Sequence, residues 1–304
     1  MEIDKAFYSE QAASTKYDER YKSGYMARPV PRKVIKFTEI FNNIKLPESG
    51  TVLDFGCGAG AYTAMLCDLL PGWEIHGTDI SDKALEIAQN NNKRPLFYNA
   101  AQINEHQKAY DLVFSNHVLE HVQNIAATFT LFSEVCKENA FMIHGLPCGN
   151  PGSFEHFLCS LYEDGVEEKN DNRFFFEDPA HLRRLDTLSI NKLARDVDFT
   201  CIDEYYVNQY FGGINWISRT SPNTMHNILN IKKARGIKNK LIVLKYLLIA
   251  KTYSYLNREA IRKVSRRLGT DPLLSIEKKS WDEWHKRKKE KNGSEMIMVY
   301  KRGA

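Results

Sequence analysis

The clearest chemical signal in the sequence is a glycine-rich turn, Gly56-Cys57-Gly58-Ala59-Gly60, that directly follows an apolar stretch. Glycine lets the backbone approach a ligand closely and adopt a positive φ angle. Asp79 stands 21 residues after the central glycine, at the end of the next apolar stretch. A carboxylate at that place can accept hydrogen bonds from both hydroxyls of a ribose. The pattern therefore predicts a nucleoside site at the carboxyl edge of a sheet.

Two classes of cofactor are compatible with this turn. The string Gly56–Ala61 satisfies G-x-G-x-x-G/A, the fingerprint of dinucleotide binding, which would indicate an NAD(P)-dependent oxidoreductase. Asp54 lies two residues before the first glycine, where its charge would repel a pyrophosphate. The same charge suits the ammonium and sulfonium groups of S-adenosylmethionine. The sequence favours this second cofactor, and a turn that only packs a helix on a strand is the structural alternative.

The positions Asp54-x-Gly56-x-Gly58-x-Gly60, together with Asp79, resemble the class I S-adenosylmethionine-dependent methyltransferases. The segment Tyr110–Val122 resembles the fourth-strand signature of that family. It is most similar to the branch that includes the ubiquinone-biosynthesis O-methyltransferases. The resemblance covers about residues 15–210 and the last strand. It implies a Rossmann-like fold and S-adenosyl-L-methionine as the cofactor.

The resemblance also implies roles for individual residues. The backbone of the glycine turn lies along the methionine part of the cofactor, Asp79 holds the ribose, and Ile80 packs on the adenine. Where the family commonly has an acid for the adenine amino group, this chain has Asn99-Ala100-Ala101-Gln102, whose amide oxygens offer a substitute. The expected cofactor contacts are Asp54, Gly56, Cys57, Gly58, Gly60, Asp79, Ile80, Ala101, Gln102, Asn116 and His117.

The segment His117-Val118-Leu119-Glu120-His121 also matches H-x-x-E-H, an inverted zinc-peptidase motif. Two histidines four residues apart on a helix can ligate one zinc ion. This segment directly follows a predicted strand, where the methyltransferase pattern already accounts for its residues, so we expect no metal. For His121 we expect a packed side chain. For His117 a contact with the cofactor and a purely structural role stay open.

The connection 148–186 is expected to face the methyl acceptor, because long connections in compact domains are often functional. A hydroxyl acceptor benefits from a general base with a near-neutral pKa, which histidine provides. His156 and His181 are the predicted catalytic bases, with a solvated surface position as the alternative for each. A guanidinium fork can bind phosphate or carboxylate. The predicted substrate contacts are His144, Asn150, Glu155, Arg183 and Arg184.

Two stretches of this region, Pro147–Glu155 and Asp178–Leu185, resemble methyltransferases of bacterial glycan biosynthesis. The resemblance implies a sugar or glycan-linked hydroxyl as the acceptor. The predicted function is therefore SN2 transfer of a methyl group from S-adenosylmethionine to a hydroxyl of a small molecule or glycan. The alternatives are an NAD(P)-dependent oxidoreductase and a module that binds phosphates or nucleic acid through basic residues.

The apolar pattern predicts the elements that must position these residues. Short apolar stretches alternate with helical ones, which is typical of a parallel sheet covered by helices. We expect strands over residues 51–56, 73–79, 96–99, 110–116, 140–147, 199–207 and 295–300. We expect helices over residues 60–70, 81–91, 125–137 and 189–196. The predicted fold class is α/β: a Rossmann-like doubly wound sheet, mostly parallel with an antiparallel last strand, plus a helical insertion before that strand.

Three parts are predicted along the chain. A helical N-terminal lid covers residues 1–50, the cofactor-binding core covers 51–210 and 293–304, and a basic helical insertion covers 211–292. Residues 231–304 carry 21 Lys and Arg against 7 Asp and Glu, although the net charge of the whole chain is only +4. Such density can attract anionic lipid, phosphorylated substrates or nucleic acid. No RNA-binding module is visible, so nucleic acid is the minor alternative.

An apolar helix face in the basic insertion, formed by Leu241, Leu244 and Leu248, can pack on the domain, on a second subunit or on a membrane surface. A homodimer is therefore one expectation. No apolar run reaches the roughly 18 residues that a membrane-spanning helix needs. The six scattered cysteines contain no C-x-x-C pair, and the N-terminus has no signal-peptide pattern, so we predict reduced thiols and a cytoplasmic protein.

Overall fold

The computed structural model describes residues 9–25, 28–168, 172–270 and 272–303. Within these ranges the strands are β1 Thr51–Phe55, β2 Glu74–Asp79, β3 Leu96–Asn99, β4 Tyr110–Asn116, β5 Cys136–Pro147, β6 Val166–Glu167, β7 Arg173–Phe174, β8 Phe199–Val207 and β9 Glu295–Arg302. The helices are α1 Glu10–Lys22, α2 Pro31–Asn43, α3 Ala61–Leu69, α4 Asp82–Asn91, α5 Ile125–Val135, α6 Phe154–Cys159, α7 Thr187–Arg195, α8 Tyr210–Arg219, α9 Pro222–Ile228, α10 Gly236–Leu256, α11 Glu259–Arg267 and α12 Pro272–Arg287.

Seven strands form one sheet in the order β3-β2-β1-β4-β5-β9-β8. Strands β1 to β5 pair in parallel, and the last strands run antiparallel. The predicted α/β Rossmann-like fold, mostly parallel with an antiparallel last strand, is confirmed. Because the strand order reverses between β1 and β4, the carboxyl ends of these strands flank a crevice of the kind where open α/β sheets bind ligands.

The central strands form where the sequence has its longest apolar runs. Val52 and Leu53 of β1 and Leu112 to Phe114 of β4 are fully buried. Strands covered on both faces show such continuous runs rather than an alternation of apolar and polar residues. The helix predicted after β2 also begins where expected, because the Ser81 hydroxyl accepts a hydrogen bond from the Ala84 amide at 3.0 Å.

The predicted boundary between α5 and β5 is wrong. The helix expected to reach residue 137 ends at Val135, and β5 begins at Cys136 rather than at residue 140. The start of β5 is irregular: Cys136 pairs with Tyr110, the register then shifts, and Asn139 has a φ of +61°. The exposed polar residues at this bulge show no apolar strand pattern, so the sequence-based prediction extends the helix too far.

The chain forms two compact units. The sheet unit contains the described residues up to 146, with 190–203 and 298–303. The helical unit contains residues 147–189 and 204–297, so it includes the connection 148–186, which the sequence predicts in the cofactor-binding core. The reason is a shared apolar core, in which Phe154, Leu158, Leu161 and Tyr162 join Ile214, Ile217, Val243 and Leu247.

Candidate functional site

The glycine turn closes tightly over the end of β1. The amides of Gly56 and Cys57 both donate to the Thr78 carbonyl, at 2.8 and 2.9 Å. Gly56 and Gly58 have φ angles of +72° and +53°. A Cβ atom at Gly56 would lie 2.5 Å from Val118, and one at Gly58 would lie 2.5 Å from the Tyr21 hydroxyl. Only glycine fits at these two positions, because any side chain would collide with Val118 or with Tyr21.

Asp79 holds this turn from the end of β2. Its carboxylate accepts a hydrogen bond from the Gly58 amide at 2.9 Å and another from the Ser81 amide at 2.9 Å. Burial raises the pKa of Asp79 to about 6, although the backbone amides of Ser81, Gly58 and Ile80 counteract part of that rise. A carboxylate has about four lone-pair sites, so it can still accept from the hydroxyls of a ribose.

Asp54 is a second buried acid beside the turn. It is 2% exposed near the end of β1, and the Thr63 hydroxyl of α3 donates to it at 2.6 Å. Burial raises the pKa of Asp54 to about 7, and the charge of Asp79 adds to the rise. Among the described residues neither carboxylate forms an ion pair, so two buried acids lie within electrostatic reach of each other without a cation.

Helix α1 packs on the turn and on the end of β2. The Ser14 hydroxyl donates to the Ile80 carbonyl at 2.7 Å, and Asp18 accepts from the Ser81 hydroxyl at 2.5 Å and from the Lys83 amide at 3.2 Å. Burial, followed by the charge of Asp79, raises the pKa of Tyr21, whose hydroxyl lies on the glycine turn. Sequence reasoning missed these contacts, and the tyrosine spacing along α1 was the only available signal.

The residues expected near the adenine are partly engaged with one another. Asn99 Oδ1 accepts from the Ala101 amide at 3.0 Å, and Gln102 Oε1 accepts from the Asn99 amide at 3.2 Å. Together they cap a short 3₁₀ helix at residues 100–105. Cys57 is buried, and burial raises the pKa of its thiol well above the usual value. The adenine contacts of Ala101, Gln102 and Ile80 stay predictions.

At the end of β4, His117 takes a left-handed conformation with a φ of +56°, which is uncommon outside glycine. Its amide donates to the Gly145 carbonyl at 2.7 Å, and its Nδ1 lies 3.0 Å from Oε1 of the buried Glu120. Asn116 is buried, and its Nδ2 has no hydrogen-bond partner among the described residues. The left-handed backbone of His117 is sparsely populated among non-glycine residues, and such conformations cluster at functional sites.

The zinc-peptidase alternative requires His117 and His121 on one helix, but the structure places residues 117–121 in a turn. The spacing that would point both imidazoles at one ion is therefore not formed. Each histidine lies beside the Glu120 carboxylate instead, with His121 Nε2 at 4.0 Å.

His144, a predicted substrate contact, is fully buried on β5. Its Nδ1 lies 2.8 Å from the Ser115 hydroxyl, and its ring stacks on Phe132 at 5.3 Å. Burial lowers the pKa of His144 to about 3, which keeps the ring neutral. A role in acceptor binding, which needs an accessible side chain, does not fit this environment.

In the helical unit, Arg184 lies at the centre of a buried ion network. Its guanidinium pairs with the carboxylates of Glu155 and Glu177, and it donates to the carbonyls of Cys148 and Ser294, each at 2.9 Å. Burial raises the pKa of Glu155. Burial also opposes ionisation of Glu177, but Arg184 and His181 outweigh it and hold the pKa of Glu177 at about 2.

The predicted substrate contacts of the connection thus occupy interior positions. Asn150 exchanges hydrogen bonds with Thr187, at 2.8 and 2.9 Å, and donates to the Lys291 carbonyl at 3.1 Å. Arg183 is 7% exposed and Arg184 is 3% exposed. The hydrogen bonds of Asn150 and Arg184 help to fix the fold of the connection, since satisfied buried polar groups rigidify a structure. The sequence does not show that these side chains are buried. Charged residues in a long connection therefore suggest a binding role even where the structure places them in the interior.

The two predicted bases differ in their surroundings. His181 Nδ1 is hydrogen-bonded to the carboxylate of the buried Glu177, and 16% of the His181 side chain is exposed. His156 is half-buried against Phe174, and burial together with the nearby Arg184 lowers its pKa. A carboxylate partner fixes the orientation of an imidazole ring, and Glu177 provides that partner to His181.

A family model described as "Methyltransferase domain" matches residues 8–204. The chain therefore belongs to the methyltransferase domain family, and its methyl donor is S-adenosyl-L-methionine. This result favours methyl transfer over the dinucleotide alternative that the glycine turn left open.

Curated relatives resemble only part of the chain. The ubiquinone biosynthesis O-methyltransferase of Pelagibacter ubique (strain HTCC1062) is 28% identical over 120 residues, which cover 38% of this chain and 49% of that protein. Ribosomal RNA small subunit methyltransferase C of Acinetobacter baylyi (strain ATCC 33305 / BD413 / ADP1) is 35% identical over 103 residues, covering 32% and 29%. The chain thus spans about half or less of the length of these relatives.

Among solved structures, the [4+2]-cyclase SpnF aligns with a TM-score of 0.57 at 12% identity, covering 97% of this chain and 96% of that one. This likeness concerns the fold alone, and a fold can host different reactions.

The observed site fits the methyl donor. Asp79 offers acceptor sites to a ribose, and two buried acids beside the glycine turn provide a negative field. S-adenosylmethionine carries an ammonium and a sulfonium, which such a field stabilises, whereas a pyrophosphate would be repelled.

Proposed function

We propose that the protein methylates a hydroxyl oxygen of a small molecule or glycan, with His181 as the general base. The observation that carries this proposal is the hydrogen bond between His181 Nδ1 and Glu177. The pKa of Glu177 is about 2, so the carboxylate is charged and stabilises the imidazolium that forms when His181 takes a proton. A hydroxyl gains from such a base because it loses its proton as the oxygen bonds to the methyl carbon.

When bound, S-adenosylmethionine supplies a methyl group on a positively charged sulfur. Asp79 and the glycine turn hold the nucleoside end, and correct orientation of the reactants can lower the barrier by about 7–11 kcal/mol. His181 receives the acceptor proton, and Glu177 keeps its ring in one orientation. Arg184 in turn holds Glu177 ionised, so the ion network acts as a positioning device for the base.

The acceptor class rests on similarity. The relative from Pelagibacter ubique supports oxygen as the methylated atom. The stretches Pro147–Glu155 and Asp178–Leu185 support a sugar or glycan-linked hydroxyl, because they resemble methyltransferases of bacterial glycan biosynthesis. The relative from Acinetobacter baylyi acts on ribosomal RNA by its name, and RNA is therefore the contrasting acceptor in the test.

The test incubates the protein with methyl-labelled S-adenosylmethionine and a panel of phenols, catechols, free sugars, nucleotide-linked sugars and ribosomal RNA. We expect an O-methylated product from one of the small hydroxyl classes, identified by mass spectrometry. Labelling of amines or RNA alone would contradict the proposal.

The catalytic role is tested with His181→Gln, which should lower kcat about 10²–10⁴-fold and leave the affinity for S-adenosylhomocysteine unchanged. The exposed His226 of the same unit provides the matched control, His226→Gln, which should retain full activity. His156→Gln separates the two candidate bases. Normal activity of His181→Gln combined with loss in His156→Gln would transfer the assignment to His156.

A further inference from the structure

Helix α10 has two apolar faces, and only one of them is covered in the described part of the chain. Val243, Leu247 and Ala250 pack into the core of the helical unit. The other face carries large apolar side chains at intervals of three, four or seven residues, which places them in one line along the helix. These residues, exposed by 37% to 80%, are Ile237, Leu241, Leu244, Leu248 and Tyr255, and we call them the α10 stripe.

Lysines border the α10 stripe on both sides. With 3.6 residues per turn, Lys240 and Lys251 fall along one edge of the stripe and Lys238 and Lys245 along the other. All four side chains are exposed. Lysine can lay its methylene stem along apolar surface while its ammonium reaches a polar layer above it.

Helix α11 repeats this arrangement. None of its residues is buried. Val264 and Leu268 are 56% and 71% exposed, and the remaining faces carry Arg262, Lys263, Arg266 and Arg267. Residues 231–268 contain 12 Lys and Arg against a single acidic residue, Glu259. The apolar stripe is therefore bordered by lysines on α10 itself, and further exposed cations follow directly in the chain on α11.

We infer that α10 and α11 form a docking surface for an anionic lipid bilayer. Helices that lie in a membrane interface bury an apolar face at the headgroup boundary and present basic residues to anionic lipids. Among the described residues no helix combines the length and hydropathy needed to span a bilayer, so contact through this surface would be peripheral.

The two other occupants fit less well. Nucleic acid needs cations for its phosphates but offers no apolar surface for a row of leucines. A second copy of the chain would oppose one lysine-bordered stripe to another, which like charges disfavour. A bilayer satisfies both features of the surface at once, because acyl chains accept the leucines and phosphate headgroups accept the lysines.

The test is flotation of the full chain with vesicles of phosphatidylcholine alone or of phosphatidylcholine mixed with phosphatidylglycerol. We expect binding only to the mixed vesicles, and the binding should fall as the salt concentration rises. Each cation near the anionic surface contributes about fivefold to the partition. The triple variant Lys240→Gln, Lys245→Gln, Lys251→Gln should therefore bind on the order of 10²-fold less.

The apolar contribution is tested with Leu241→Ser, Leu244→Ser and Leu248→Ser combined, which should abolish flotation. The matched control combines Leu96→Ser and Leu188→Ser, since these leucines are 53% and 78% exposed on other elements. The control should float like the wild type. Circular dichroism and S-adenosylhomocysteine binding should be unchanged in both variants, because none of these residues lies in the cofactor site.

Four results would overturn the inference. The first is no flotation of the wild type with phosphatidylglycerol, and the second is full flotation of the leucine variant. The third is a wild-type dimer in analytical ultracentrifugation that becomes monomeric in the leucine variant while vesicle binding is absent, which would assign the stripe to a second copy. Equal, salt-sensitive binding of duplex DNA by the wild type and the leucine variant, without flotation, would assign the charge to nucleic acid.

Discussion

Replacing Asp79 by asparagine tests how the cofactor site is held together. The Asp79 carboxylate accepts hydrogen bonds from the Gly58 and Ser81 amides, both at 2.9 Å. Asparagine keeps the shape of the side chain, but its Nδ2 cannot accept a hydrogen bond, so one of these amides loses its partner. The charged acceptor for the ribose hydroxyls disappears as well.

The expected effect on binding follows from the loss at the ribose, because the bond within the turn exists with and without ligand and its loss therefore falls on folding. A hydrogen bond to a charged group contributes about 1.5–3 kcal/mol, so losing the bond from the ribose weakens binding by about that amount. Since 1.4 kcal/mol is about tenfold, Asp79→Asn should raise the Kd for S-adenosylhomocysteine about 10- to 10²-fold. Isothermal titration calorimetry measures this change directly.

The effect on folding should be small. Burial raises the pKa of Asp79 from 3.8 to about 6, so ionising it in the folded state at neutral pH costs on the order of 3 kcal/mol. Asp79→Asn removes that cost while it loses a backbone hydrogen bond of similar energy. The melting temperature should therefore change little at neutral pH, although the affinity falls steeply.

Asp111 provides the matched control. Its carboxylate also accepts a backbone hydrogen bond, from Thr51 at 2.8 Å, and pairs with Lys137 at 2.7 Å, but it lies near the amino ends of the strands. Asp111→Asn should bind S-adenosylhomocysteine like the wild type. The reasoning is refuted if Asp79→Asn binds within about threefold of wild type, or if Asp111→Asn weakens binding equally.

Three further predictions concern pH, the glycine turn and the ion network. The pKa of Asp54 is about 7 against a usual 3.8, so its contribution to the free energy of unfolding should fall as pH rises from about 4 to about 7. In urea denaturation at a series of pH values, Asp54→Asn should make the free energy of unfolding less dependent on pH in that range. Gly58→Ala should cost about 1–2 kcal/mol in thermal unfolding and weaken S-adenosylhomocysteine binding, and adding Tyr21→Phe should restore part of both losses in a double-mutant cycle. Arg184→Met should lower the free energy of unfolding, measured in urea, by about 3–5 kcal/mol, because it leaves buried carboxylates without their cation. Arg219→Met, at an exposed ion pair, should lower it by less than about 1 kcal/mol. Equal losses would show that burial does not strengthen the ion network.

The sheet and the cofactor turn could be predicted because their signals are local. Strands buried on both faces appear as apolar runs, and a glycine turn followed by an acid at the end of the next strand has a fixed spacing. The structure confirms the α/β fold that these patterns predict. It also shows a hydrogen bond from the Gly58 amide to the Asp79 carboxylate.

The contacts that sequence reasoning missed connect residues far apart in the chain. Ser14 donates to Ile80, and Arg184 reaches both Cys148 and Ser294. No spacing rule links such positions, and a charged residue gives no sign of its burial. The sequence therefore predicts a substrate contact for Arg184, which is 3% exposed inside an ion network. The irregular start of β5 escaped prediction for the related reason that its residues are polar.

The two buried acids explain why the same turn distinguishes between cofactors. Asp54 and Asp79 have raised pKa values of about 7 and about 6, so near neutral pH the folded protein without ligand holds negative charge that burial disfavours. A ligand that brings positive charge relieves this cost, and its binding should therefore strengthen as pH rises through that range. A dinucleotide would add negative charge to the same pocket and increase the cost. The measurement compares how the affinities for S-adenosylmethionine and for its product S-adenosylhomocysteine, whose sulfur is uncharged, change with pH. If the affinity for S-adenosylmethionine rises more steeply with pH, the sulfonium interacts with these acids. If the two pH profiles are parallel, only the ammonium does.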